Sequence, residues 1–570
     1  MTMEERHKIT SNDYIDVMIR YNRNMNILRK YEQYSVHIIN EGFAVIYIPV
    51  AEADSHNLIE FGYDAIPNIY ALTREQSMEA SGVYQLRNIP KVDLRGKGVI
   101  IGIIDTGIDY TNPVFRHEDG ATKILAIWDQ TIDSDNFPDA VFPTFYGTEY
   151  AADQINLALN SPKPYEIVPS TDDNGHGTKL AGIAAGSEND ENNFSGVAPD
   201  AELLVVKLKP AKDNLKDLFM IPRDQLCYQE NDIIWAMDYL LYTARMMGRP
   251  LSICIGFGTS LGAHDCTGNL NVLASLAADT PGVAISIAAG NEGAAKRHFY
   301  SELDPAAGSI PVELNIGENE YGFILELWGE PPVIYSLDIL SPSGEYKPII
   351  SERLITTQTI RFIFDRTIIY VNYVLIEQSN GKQVIILRFS KPTAGIWKLQ
   401  VYGKGDLKGA FHMWLPMGSL ISEHTYFVKA NAYTTITSPG NCFIPITVTA
   451  YNSVTGTLYP NSGRGFSTSN IINPSFAAPG VNLSCPSLEQ GFTTLTGTSA
   501  AAAHTAGICA MLLEWCVVED NYPVIDTLGL KKFLIRGAKR NKALSYPNQD
   551  WGYGIIDVYN TFNIFRTDIQ

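Results

Sequence analysis

The chain has 570 residues, enough for two or three domains and at least one large core. Hydrophobic residues make up 45% and charged residues 18%, a globular balance that excludes a disordered or low-complexity chain. A formal net charge of −19 argues against nucleic acid and anionic membrane surfaces as partners, and is otherwise read as solubility.

The first stretch, Met1 to Asn22, is polar and lacks the apolar core of a signal peptide, which predicts cytoplasmic synthesis. No apolar run is read as long enough to span a bilayer. Asp13 to Tyr31 has helical spacing, and Gly42 to Pro49 reads as a strand, so residues 1–73 are expected as a small α+β unit. Val99 to Ile104 is a continuous apolar run, which suits a strand buried on both faces of a parallel sheet. Ala201 to Lys207 and Val283 to Ala288 repeat that pattern, with a helix expected over Asn231 to Met247. Residues 74–298 are therefore predicted as the first part of an α/β, doubly wound, mostly parallel core. In such sheets functional groups collect at the carboxyl ends of strands, and Asp105 and Asn291 both fall there.

From Phe299 the pattern changes to alternating strand runs with almost no helix. Examples are Tyr321 to Trp328, Thr359 to Phe364, Gln383 to Phe389 and Gly395 to Tyr402, separated by turn signals at Ser341 to Gly344 and Asn380-Gly381. Residues 299–435 are predicted as an inserted β-sandwich of jelly-roll type. Residues 436–570 return to the core and end in a helix at Ser499 and the run Trp551 to Asp557. The seven cysteines (Cys227, Cys254, Cys266, Cys442, Cys485, Cys509 and Cys516) lack metal-like spacing, and several stand in apolar runs. They are expected as buried free thiols in a reducing compartment, not as a disulfide framework.

Four short stretches carry the chemistry: Ile104-Asp105-Thr106-Gly107, Asn174-Gly175-His176-Gly177-Thr178, Ala289-Gly290-Asn291-Glu292-Gly293 and Thr496-Gly497-Thr498-Ser499-Ala500. Acyl transfer needs an orienting acid, a base, an oxyanion donor and a nucleophile, and these four supply one of each. Ser499 precedes a run of alanines, strong helix formers, which puts its N–H at a helix start. Taken alone, Thr498-Ser499 is a helix cap and His176 a structural histidine; together they are specific. Asp-Thr-Gly also opens the aspartic-protease motif, but that chemistry needs a second such carboxylate and the chain has none. Asp109 is read as a turn residue.

The order Asp, His, Asn, Ser resembles the subtilisin-like serine proteases. The resemblance implies that Asp105, His176 and Ser499 are the triad and Asn291 the oxyanion donor, with no cofactor required for catalysis. It implies that Ser252, Ile253, Cys254, Ile255 and Gly256 form a strand edge for an extended protein or peptide substrate. It implies that residues 1–73 are a prodomain, cut near Thr73 and held as a bound inhibitor. Where the family usually has Pro and often Met, this chain has Ala503 and Ala500; neither change removes a reacting atom. Ser187 to Asn193 has the hard oxygen ligands of a structural calcium loop and equally suits a solvated loop. A narrower resemblance, from the absent signal peptide, the short prodomain and the insert, is to the Csp germination proteases of anaerobic spore-forming bacteria. It implies activation of a spore-cortex hydrolase zymogen by limited proteolysis, and a spore-associated place. A broad-specificity subtilase unrelated to spores and a non-catalytic binding or sensing pseudoprotease remain as alternatives.

Overall fold

A computed structural model describes residues 3–52, 62–72, 81–87, 93–134, 146–349 and 355–567. Its first unit is a three-stranded antiparallel sheet of β1 (Tyr14–Arg20), β2 (Ser35–Ile38) and β3 (Phe43–Pro49), in the order β1-β3-β2. The helix expected over Asp13 to Tyr31 is not formed; only Met25–Leu28 is α-helical there. The period that wins is two: Ile15, Val17 and Ile19 face Ala44, Ile46 and Ile48, while Met18 joins the packing beneath. Full pairing of β1 with β3, from Tyr14↔Pro49 to Arg20↔Phe43, outweighs the local spacing. Met18, Phe43, Val45 and Tyr47 pack into one of the main core layers, so this unit sits on the core. At that seam the buried Asp16 meets the Lys212 ammonium at 2.5 Å and accepts from Gln229 and Asn231. A short strand, β4 (Ile69–Leu72), leads out of the unit.

The core sheet follows. Its first strands are β5 (Ile100–Asp105), β6 (Ile124–Asp129), β7 (Thr148–Ala151) and β8 (Glu202–Lys207). After a short β9 (Tyr228–Gln229) come β10 (Leu251–Ile255), β11 (Phe257–Gly258) and β12 (Val283–Ala288). Beyond the insert, β24 (Ile446–Asn452), β25 (Thr457–Leu458) and β26 (Phe476–Pro479) complete it. The order is β25-β24-β12-β10-β5-β8-β6-β7, with β26 beside β24. Only β7 and β25 run antiparallel to their neighbours. Alternate side chains of β5 feed two layers: Ile101 and Ile103 face one, Ile100 and Ile104 the other. That is the doubly wound arrangement, and it explains why the strand is apolar throughout.

Helices α1 (His176–Ala185) and α4 (Thr498–Leu513) lie in the first layer, α2 (Glu230–Met246) and α3 (Asn269–Ala278) in the second. Contrary to the sequence reading, among the described residues one helix is long and apolar enough to cross a membrane by length and composition: Thr498–Val518. It is the central helix of the core, with 83% of its apolar window buried in protein.

The insert runs from β13 (His298–Leu303) to β23 (Tyr426–Phe427). Between them lie β14 (Ser309–Ile316), β15 (Gly322–Gly329), β16 (Ile334–Leu340), β17 (Tyr346–Ile349) and β18 (Ile355–Arg361). The rest are β19 (Ile368–Val374), β20 (Gln383–Ser390), β21 (Gly395–Lys404) and β22 (Gly409–Trp414). They form two antiparallel sheets, β13-β22-β15-β20-β19-β18 and β17-β16-β21-β14-β23, around a shared core that includes Leu325, Leu337, Leu387, Trp397 and Phe411. The outer face of the first sheet gives Ile324, Trp328, Val384, Ile386 and Trp414 to a second cluster with Ile69, Phe219 and Leu261, fastening insert, core and N-terminal unit together.

Two cysteines depart from expectation. Cys266 and Cys442 are joined, across 176 residues of sequence. They stand in core loops on either side of the insert, and only the return of the chain to the same sheet brings those loops together. The other five are buried and free.

Candidate active site

The Asp, His and Ser stretches converge because each ends or begins a core element. Asp105 is the last residue of β5, His176 the first of α1, and Ser499 the second of α4. Asp105 Oδ1 stands 2.8 Å from His176 Nδ1, and His176 Nε2 stands 3.3 Å from Ser499 Oγ. All three are buried, Asp105 and Ser499 fully. Asp105 Oδ1 also accepts from its neighbour's Thr106 N–H at 2.8 Å, which fixes the carboxylate.

The glycines around His176 are steric necessities. Gly175 has φ +81°, the left-handed conformation that turns the chain into the helix. A Cβ on Gly177 would stand 2.2 Å from Gly107 O and 3.1 Å from Asp105 Cβ, so only glycine lets the two motifs touch. Asp172 ties them further. Its Oδ1 accepts from Thr106 Oγ1 (2.7 Å) and Gly175 N–H (2.8 Å), and its Oδ2 accepts from Thr178 N–H (2.9 Å) and Thr178 Oγ1 (2.7 Å). Sequence reasoning assigned Asp172 no role; the signal was the acidic run Ser170 to Asn174 just before a helix start, where a carboxylate caps free N–H groups. Asp109 accepts from Thr111, as a turn residue does. Near these acids the Tyr228 hydroxyl is pushed well up, first by burial and then by Asp105 and Asp172.

Asn291 follows β12, and its Oδ1 accepts from Thr498 N–H and Thr498 Oγ1, both at 3.2 Å. Thr498 Oγ1 in turn accepts from Gly290 N–H at 3.0 Å. This exchange, which the sequence did not reveal, locks the carbonyl end of the amide against the residue before Ser499 and leaves the NH₂ as its donor end. The next residue, Glu292, is buried, accepts from Gly418 N–H of the insert at 3.1 Å and stands 3.6 Å from Arg297. Burial pushes its carboxyl up, and Arg297 opposes that rise.

The expected substrate edge is displaced. Ser252 to Ile255 are buried in β10, which pairs in parallel with β5 on one side and β12 on the other, so they have no edge to offer. Ser252 Oγ donates into α4 at Ala506 O. The apolar run that suggested an edge is instead the mark of a central strand. Only Gly256 adjoins the cleft: a methyl there would lie 3.3 Å from Ser499 Cβ and 3.4 Å from His176 Cε1. The edge is β11. It pairs with the chain's own β4, Phe257↔Leu72 and Gly258↔Ala71, while β9 holds the other side through Tyr70↔Tyr228 and Ile69↔Gln229. Thr73, the expected cleavage position, lies outside the described residues.

The acidic loop Ser187 to Asn193, considered for a structural calcium, directs part of its oxygen set at the protein itself. Glu188 faces the guanidinium groups of Arg95 (3.0 Å) and Arg87 (3.6 Å), and Asn189 and Asn192 bond each other. Among the described residues no three His, Cys, Asp or Glu side chains form a metal-holding group.

The subtilase family, Peptidase_S8, matches residues 96–311 and 418–554. The chain belongs to the subtilase family. The subtilisin-like protease SBT1.9 of Arabidopsis thaliana is 24% identical over 462 residues, and an intracellular serine protease of Paenibacillus polymyxa is 32% identical over 114. These alignments take in 74% and 20% of this subtilase and span 57% and 24% of the two relatives' own lengths. The structure of the Clostridium perfringens CspB protease superposes with a TM-score of 0.75 at 29% identity, covering 85% of this chain and 98% of that one. The subtilase match breaks off inside the sandwich, between residues 311 and 418.

Proposed function

We propose that this subtilase is a serine endopeptidase in which Ser499 is the nucleophile, His176 the base and Asp105 its orienter. The observation that carries the reading is the hydrogen-bonded line Asp105–His176–Ser499 at 2.8 and 3.3 Å. As Ser499 Oγ attacks a peptide carbonyl, its proton passes to His176 Nε2, and Asp105 stabilises the imidazolium through Nδ1. The oxyanion takes hydrogen bonds from the Ser499 backbone N–H at the start of α4 and from Asn291 Nδ2. His176 then gives its proton to the leaving amine, and water repeats the sequence to free the acyl group. No cofactor enters these steps.

In this reading residues 1–73 are a prodomain that the enzyme cuts near Thr73 and keeps as an inhibitor. The pairing of β4 between β9 and β11 supports it, because that is how an extended product would lie in the cleft. The strand order supports reading the insert as a jelly roll, since most successive strands cross between its two sheets. The likeness to the CspB protease supports a spore-associated role, activation of a cortex-hydrolase zymogen by limited proteolysis. A fluorophosphonate probe tests the core of the proposal. Wild-type protein should be labelled once, at Ser499, and Ser499→Ala should be neither labelled nor active. Labelling that survives in Ser499→Ala rejects the assignment. Cleavage of casein at rates matching those on a single pro-enzyme would favour a broad-specificity protease over the germination role.

A further inference from the structure

We infer that the cleft selects a tyrosine three residues before the residue whose carbonyl is attacked. This deepens the serine-peptidase reading above and rests on it. The register sets the spacing. Along the antiparallel edge, Ala71 lies opposite Gly258 and Leu72 opposite Phe257, and the next edge residue, Gly256, abuts Ser499. A peptide laid in the register of β4 therefore brings the residue after its Leu72 equivalent beside the nucleophile. Its Tyr70 equivalent falls three positions earlier.

The site that receives Tyr70 is built for a phenol. The side chain is 1% exposed, its ring meets Phe257 edge-on at 5.9 Å, and its hydroxyl donates to Glu230 Oε1 at 3.2 Å. Glu230 is the first residue of α2 and fully buried. Its carboxylate also accepts from Leu270 N–H (3.1 Å), Asn68 N–H (3.4 Å) and Asn269 Nδ2 (3.4 Å). Burial alone would drive that carboxyl up, so each donor aimed at it counts. Three of the four donors are fixed parts of the core or of the peptide backbone at Asn68. The fourth, the phenol, comes from the side chain of whatever occupies the cleft. Phenylalanine would fill the same volume and leave the buried oxygen one donor short; alanine would leave a void as well. A site that reads a hydroxyl by a buried acceptor discriminates more strongly than one that reads shape.

Two quenched peptides, added in excess so that they compete with the bound residues 1–73, test this on the full-length chain, one carrying Tyr-Ala-Leu-Thr-Arg-Glu and one with phenylalanine for tyrosine. The tyrosine peptide should be cut about tenfold faster, the cost of leaving one buried acceptor without its donor. Glu230→Gln should narrow that ratio. The chain's own junction gives a second measure: by intact mass, Tyr70→Phe should slow self-cleavage by a similar factor. Equal rates for both peptides, or unchanged self-cleavage in Tyr70→Phe, overturn the inference, and fluorophosphonate labelling of the same sample leaves the peptidase reading standing. Loss of both labelling and cleavage in the wild-type chain overturns the two together.

Discussion

His176 and His298 are both buried imidazoles, but they sit among different neighbours. His176 has a carboxylate at Nδ1, Asp105 at 2.8 Å, and a hydroxyl at Nε2. His298 lies where the insert meets the core. Its Nε2 stands 2.9 Å from His412 Nδ1, and both rings stack on Trp414, which His264 also faces at 4.2 Å. The charges that act on this group are Asp265 and Lys382, and they pair with each other at 3.5 Å. Burial therefore holds His264 down to about 4 and His298 down to about 3, and pushes His412 well below the usual range. A buried imidazole can take a proton only where a counter-charge is built beside it; the core supplies one and the seam does not.

Removing that counter-charge makes the site resemble the seam, and this should be the largest effect. Asp105→Asn keeps the volume but favours the wrong tautomer of His176, with an expected fall in kcat of about 10⁴ at neutral pH. Full activity in Asp105→Asn would mean that Asp105 does not orient the base. Asn291→Ala comes next. It leaves the imidazole alone and removes the proposed oxyanion donor, so kcat should fall by about 10²–10³ with KM little changed. A rise in KM with kcat intact would move Asn291 from the transition state to ground-state binding.

What could be read from sequence follows the same division. The Asp105, His176 and Ser499 stretches could be picked out because their glycines are steric requirements: Gly177 is forced by a 2.2 Å approach to Gly107 O, and such constraints leave a fixed local pattern. The buried strands were legible as apolar runs, and the sandwich as alternation. The helix expected over Asp13 to Tyr31 failed because pairing with β3 decides that segment, and pairing is not local. The edge placed on Ser252 to Ile255 failed because a central strand and an edge strand with an apolar run look alike until their neighbours are known. The Cys266–Cys442 link, the Asp172 bridge and the Glu230 pocket join residues that are 176, 66 and 160 positions apart in sequence. No spacing rule reaches that far.

The seam and the site are also joined physically, and a smaller effect should expose the joint. Arg297 balances the buried Glu292 beside Asn291, and donates to Pro416 O and Gly418 O of the insert. Arg297→Met would leave Glu292 without its counter-charge and loosen the turn that carries Asn291. We expect kcat to fall about tenfold, the cost of one weakened charge-assisted contact, with KM held. Partial recovery in Arg297→Lys would tie the loss to charge. An unchanged kcat would show the Asn291 turn to be independent of the insert.

The smallest expected effect concerns the seam itself. His264 and His298 have folded-state values below the unfolded value near 6.5, so the unfolded chain binds more protons as the pH falls. Their contribution to stability is complete above about pH 6.5 and is lost as the pH drops through about 4 and then about 3. Within that window each such histidine can remove up to about 1.4 kcal/mol per pH unit. Carboxylates titrate in the same range, so the absolute acid lability is not diagnostic; the difference between two proteins is. His298→Phe keeps a ring against Trp414 and deletes one titration. Denaturant midpoints of Ser499→Ala, which cannot digest itself, should fall more steeply from pH 7 to pH 4.5 than those of Ser499→Ala with His298→Phe. Parallel profiles would mean that His298 is already protonated in the folded chain and that the seam, like the site, has a counter-charge.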